Sequence, residues 1–359
     1  MRMILSILVF LFTFFFAVTP NDSIARRDAL TPSQKEWLKT AQNITIQALA
    51  LTEKGPVNAS VIQKVVSTQM QNMGLTVTEP SSPESDLILH VKCEERRSSV
   101  AMTKIGGDAD QPGSPSRLWK GPACQLTYSL NRTKGHWRQE VRSSFKDAGQ
   151  EARTRGIKDA GQYALSQLSE VLKKDDFVLE LLAEWKQEKR MAAILTSPES
   201  SQPTKHIVVR LSKNMSGPTM LTALQQTMAD PRLAPEAARA MGFMEKAAAP
   251  FLLNLLKTSG SVEMRAAAAE ALGEIGAYSG DISILPTLLA MMDAPKIDLR
   301  VQTEIVKAVG KIPDYQSIEP LKKLGLKSWT SQSRDPLMQE LREAIDWSLW
   351  QIDATDSSH

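Results

Sequence analysis

The chain has 359 residues, 42% of them hydrophobic, and a formal net charge of +3. That length and composition fit two folded domains with a sizeable core. The near-balanced charge removes any general case for nucleic acid, and two cysteines with four histidines leave little material for a metal centre.

Residues 1–25 have the layout of a secretory signal peptide. Met1-Arg2-Met3 gives a positive start, Ile4 to Val18 is almost wholly apolar, and Ser23-Ile24-Ala25 offers small residues for cleavage. The apolar run falls short of the about 20 residues that span a bilayer. The protein is therefore expected to be exported, periplasmic or secreted, and to touch a membrane only if this segment stays uncleaved. Cys93 and Cys124 lie in strand-like runs on either side of a loop. In an exported protein such a pair reads as a disulfide, with two buried thiols as the alternative.

Residues 30–195 read as a small α+β domain. Thr31-Pro32 opens a helix that leads into Trp37-Leu38, and Ile44 to Leu51 alternates as a strand. Asn58 caps a helix with Val61, Ile62, Val65, Val66 and Met70 on one face, and Gly74 ends it. Leu75 to Thr78 is a second strand. Leu87 to Cys93 is a third, with Leu87, Leu89, Val91 and Cys93 on one side. The stretch from Gly106 to Gly121, rich in Gly, Pro, Ser and Asp, is a long loop. Gln125 to Leu130 and Trp137 to Phe145 are further strands, with Lys134-Gly135 as their hairpin turn. One long helix carries Ile157, Tyr163, Ala164, Leu168, Val171 and Leu172. Another spans Asp175 to Ile194 with Phe177, Leu181, Leu182 and Trp185 inside. The expected whole is a sheet covered by helices on one face. From Lys92 to Lys158, Lys and Arg outnumber Asp and Glu by a wide margin, which reads as solubilising charges on strand edges or, as the alternative, as a basic face.

Residues 196–218 are linker-like, with a short strand-like Ile207-Val-Val-Arg-Leu211. This places the domain boundary there and makes Ser197 to Pro203 the expected protease site. Residues 219–352 hold a repeat. Glu236 to Gly242, Arg265 to Gly273 and Arg300 to Gly310 are helical runs, each closed by a glycine that permits a tight exit. Apolar helices led by Pro250, Pro286 and Pro320 follow them. A period of roughly 30–40 residues belongs to stacked helix pairs. Met220 to Met228 reads as the second helix of an incomplete first pair. Gly276 to Asp281 lengthens one turn, and the last helix, with Trp347, Leu349 and Trp350, reads as a cap. Residues 353–359 are expected to be a disordered tail.

These segments resemble the HEAT-repeat family in its short bacterial HEAT-like form. The resemblance rests on an acid and a base opening the first helix (Glu263 with Arg265, Asp298 with Arg300), then an alanine-rich stretch to Leu-Gly or Val-Gly, then a proline. It implies an all-α HEAT-like solenoid behind the α+β domain. It also implies a scaffold or adaptor role, although the family includes chromophore-lyase subunits. A ladder pairing acids and arginines of neighbouring repeats would use Arg265, Asp298 and Arg300.

The chain has no G-x-S-x-G, P-loop, dinucleotide fingerprint or H-E-x-x-H, and His90, His136, His206 and His359 are scattered. The expectation is a non-catalytic protein–protein interaction or scaffold protein of the bacterial cell envelope, without cofactor or metal. The sequence does not name the protein partner. Two alternatives remain: a subunit associated with a chromophore-attaching lyase, and an envelope protein binding an anionic polymer through its basic sheet. Aligning the second helices on their prolines turns Leu252 and Leu288 to the core. It places Leu253, Leu289 and Lys323 on the inner face of the stack as a partner-binding stripe.

Overall fold

The structure, a computed structural model, describes residues 29–79, 87–95, 121–331 and 333–356. The expected export signal at 1–25, most of the expected loop after Gly106 and the last residues of the expected tail lie outside these. The N-terminal part contains α1 (Pro32–Leu38), β1 (Asn43–Thr52), β2 (Gly55–Val57), α2 (Ser60–Asn72), β3 (Thr76–Thr78), β4 (Leu87–Glu94), β5 (Ala123–Leu130) and β6 (Thr133–Arg142). The strands form one mixed sheet in the order β2-β1-β4-β5-β6, with β3 also paired to β1. β1 runs parallel to β3 and β4, and the other pairs are antiparallel. Alternation decides the faces: Leu87, Leu89, Val91 and Cys93 are buried, while Lys92 between them is exposed.

The helices that follow are α3 (Ala148–Thr154), α4 (Ala160–Leu172), α5 (Phe177–Glu184), α6 (Glu188–Thr196), α7 (Gln202–Leu211) and α8 (Pro218–Thr227). After them come α9 (Ala234–Met241), α10 (Ala249–Thr258), α11 (Val262–Ser279), α12 (Leu285–Met292), α13 (Leu299–Lys311), α14 (Ile318–Thr330) and α15 (Pro336–Asp356). α2 and α4 lie against the buried face of the sheet. The chain thus has a mixed sheet with helices, then a helical stack, as expected.

Several local expectations are corrected. The β5–β6 turn is Asn131-Arg132, both left-handed at φ 49° and 69°, as a two-residue hairpin of matching twist requires. Gly135 lies inside β6, where the Tyr128 ring crosses it so closely that a Cβ would enter the ring. The glycine signal there marks packing, and the turn was displaced. The expected helix through Ile157 begins only at Ala160, with Gly156 (φ 69°) and Ile157 ahead of it, and the expected helix from Asp175 to Ile194 is broken in two at Lys186 (φ 53°).

The largest correction is α7. The Ile-Val-Val run that reads as a strand is helical. Ser201 caps it by accepting from Thr204 N (3.2 Å), Pro203 sits in the first turn, and Val208 and Val209 are buried. A short β-branched run carries too few residues for its period to separate strand from helix. α7 completes the pair that looked incomplete, packing on α9, and α5 and α6 pack on α7 and α8. The stack therefore extends back to Phe177.

That first layer is joined to the sheet. Trp185 is buried, edge-to-face with Tyr128 at 5.5 Å. Gln187 Nε2 donates to the carbonyls of Leu38 (3.0 Å) and Ala41 (2.9 Å). Glu188 Oε1 accepts from Met220 N at 2.7 Å and so caps α8, whose own N-cap, Gly217, has no side chain. Glu188 packs directly on Gly217.

The repeat glycines are contact points between first helices; Gly242 is the C-cap of α9, as expected, but the other two are not exits. Gly273 and Gly310 lie inside α11 and α13. A Cβ on Gly242 would stand 3.0 Å from the Ala271 backbone; on Gly273, 2.7 Å from Ala308 Cα; on Gly310, 2.7 Å from Ser348 Cα. Gly276 to Asp281 lengthens a helix rather than a turn, carrying α11 to Ser279 before Gly280 closes it at φ 62°. α15 runs on to Asp356, past the expected end at Ile352.

Candidate functional site

The second helices turn Leu252 and Leu256, Leu288 and Met292, and Leu321 and Leu324 inward. Leu253 and Leu289 are half-buried at the edge of that core, each leaving part of its side chain open. In the third repeat Leu321 takes the place of Leu252 and Leu288, one residue earlier than alignment on Pro320 gives, so Lys322 is the position that follows. Lys323 is exposed and reaches Asp293 at the end of α12 (3.6 Å); Lys327 reaches the same carboxylate (3.9 Å). Beside the two leucines run the exposed Asn254 and Lys257.

A polar side-chain contact links each first helix from α7 onward to the next. His206 Nδ1 meets Glu236 (2.7 Å), Arg239 meets Glu270 (2.7 Å), Lys311 meets Glu274 (2.6 Å) and Lys307 meets Glu340 (3.4 Å). All are partly exposed, so each contributes at most about 1 kcal/mol. The residues expected to form a ladder have other contacts. Arg265 Nε donates to the Leu256 carbonyl at the end of α10 (3.0 Å). Gln302 does the same for Met292 (2.9 Å) and Arg342 for Ser328 (2.6 Å). One side chain per repeat thus satisfies a carbonyl that the preceding helix end leaves open. Asp298 Oδ1 caps α13, accepting from Arg300 N at 2.9 Å.

A concavity lies where the sheet meets the stack, a cleft of about 1140 Å³. β6 contributes Trp137, α5 contributes Glu180 and Glu184, and the turn after α7 contributes Lys213. The turn after α9 supplies Phe243 and the extended end of α11 supplies Tyr278. Phe243 and Tyr278 lie 5.7 Å apart, and Lys213 Nζ stands 5.3 Å over the Phe243 ring. Tyr278 is 71% exposed. Beneath the cleft, burial and then the negative Glu184 hold the Tyr128 phenol well above its ordinary pKa, so it stays neutral. Aromatic faces beside both lysines and glutamates suit a polypeptide, which presents apolar, cationic and anionic groups together.

This cleft was missed by sequence reasoning. Its only sequence trace is the departure at Gly276 to Asp281, which carries Tyr278. Among the described residues no group of three His, Cys, Asp or Glu could hold a metal ion. His90 bonds Ser129 Oγ (2.8 Å) on the face of the sheet opposite the buried row. Burial and then nearby Lys134 lower its pKa. On that face Lys92 pairs with Glu94 and Arg142 with Glu140 (3.2 Å). Cys93 and Cys124 form a disulfide, directly opposite each other on β4 and β5.

A family model described as HEAT repeats matches residues 249–342, from the start of α10 into α15. The C-terminal third thus carries the repeats its residues resemble. Such repeats suggest a protein-interaction or scaffold role. No curated protein matches the chain.

Proposed function

We propose that the protein is a non-catalytic scaffold of the bacterial cell envelope that holds a polypeptide partner in the cleft between its sheet and its HEAT-like stack. The observation that carries this reading is the aromatic and mixed-charge lining of that cleft, assembled from β6, α5, the turn after α9, and α11. The half-buried row of Leu253 and Leu289 would extend the contact along the stack. Export is supported by the Cys93–Cys124 disulfide, which persists in oxidising compartments. No helix among the described residues is long and apolar enough to cross a membrane.

The test is capture of a partner from envelope extract by the wild type and two variants. Phe243→Ser with Tyr278→Ser removes two of the three aromatic rings of the lining, at side chains that are not fully buried, so Tm should hold while capture is lost. Capture that survives this variant but fails in Leu253→Ser with Leu289→Ser would move the site to the second helices.

A further inference from the structure

A helical stack needs a polar end, because its terminal face otherwise repeats the apolar surface of its interior. α15 ends this stack, with Leu341, Ile345 and Ile352 buried. Its outward side is not polar throughout. Trp350 is 63% exposed, and Trp347, one turn away, is also exposed. On the neighbouring α14, Leu326 is 70% and Trp329 56% exposed. Arg342 lies 4.8 Å over the Trp329 ring, which places that ring at the seam between the two helices. The aromatics expected to act as a cap thus point away from the stack.

The charges around these four side chains differ by helix. The exposed side of α14 carries Lys322, Lys323 and Lys327 against the single acid Glu319, and that of α15 carries Glu340, Glu343 and Asp346; within the molecule Lys322 reaches Glu319, Lys323 and Lys327 reach Asp293, and Glu340 reaches Lys307. A surface with a net basic half, a net acidic half and exposed apolar side chains in both is complementary to itself under a two-fold rotation. The rotation sets α14 of one molecule on α15 of the other, twice, and brings the tryptophans together away from water.

We propose that the α14–α15 end of the stack is the dimer interface, and that its occupant is a second copy of this chain. The two-fold joins the stacks end to end and leaves both sheet-side clefts free. The apolar side chains supply affinity, while the opposed lysine and carboxylate rows fix the register.

Analytical ultracentrifugation of the purified protein at micromolar concentration tests this, with circular dichroism confirming that each variant keeps its helicity and Tm. The wild type should sediment as a dimer. Trp329→Ser with Trp350→Ser should raise the dissociation constant about tenfold or more. The decisive arm uses charge. Lys322→Glu with Lys327→Glu makes both halves acidic, and Glu343→Lys with Asp346→Lys makes both basic. Each variant alone should be monomeric, and the mixture should form a heterodimer. A monomeric wild type overturns the proposal and leaves the face to another protein or to a membrane. So does a dimer that persists in both charge variants, or a mixture that stays monomeric.

Discussion

Cys93 and Cys124 are fully buried and close a 31-residue separation across the two central antiparallel strands. Constraining an unfolded loop of that size contributes roughly 3–4 kcal/mol in the chain-entropy account. Mass spectrometry without reduction should show one cross-linked peptide pair. Cys93→Ala with Cys124→Ala should lower the denaturant midpoint accordingly, and an unmoved midpoint would contradict that energetic role. His90 gives a second check at this scale. The folded chain holds its proton less readily than the unfolded chain, because burial, then Lys134, oppose the charge. Stability is therefore lost as pH falls below the ordinary histidine value near 6.5. The ring's NMR titration midpoint should lie below that value.

Between elements, the close approach of successive first helices depends on small residues. Gly273→Ala should cost about 1–3 kcal/mol, because its Cβ meets the Ala308 backbone rather than a movable side chain. Gly260→Ala is the control, since nothing lies near its added Cβ. Equal melting temperatures for the two would refute the role assigned to Gly273. The side-chain caps make a milder prediction. Glu188→Ala removes the acceptor for Met220 N and should cost about 0.5–2 kcal/mol. Part of that loss would be seen as faster hydrogen exchange in the first turn of α8.

For the whole molecule, the sheet and the stack share a core through α5, with Phe177, Leu181, Leu182 and Trp185 all buried. A fragment starting at Ser216 removes α5, α6 and α7 and uncovers Met220, Leu224 and Ala237. It is expected to lose cooperative melting, whereas the complete chain should melt in one transition followed by circular dichroism. A cooperative fragment with the stability of the whole would show that the stack does not need its first layers.

What the sequence determined by itself was local or periodic. Alternation along Leu87 to Cys93 oriented β4, because successive strand residues point to opposite faces. The spaced Gly and Pro signals revealed the repeat, because each unit repeats the same packing problem. The expectation of export pointed to the disulfide. What only the tertiary structure decided depended on partners distant in the chain. Gly135 reads as a turn until Tyr128 is seen lying on it, and Gly273 as a helix exit until Ala308 is seen against it. The Ile207 to Leu211 run became a helix because Val208 and Val209 are buried in the stack. The cleft joins Trp137, Lys213, Phe243 and Tyr278 from four separate segments, and no sequence spacing encodes that meeting. Local sterics and periodicity act within a few residues, whereas a binding surface arises where elements remote in sequence are brought together by burial of their apolar faces.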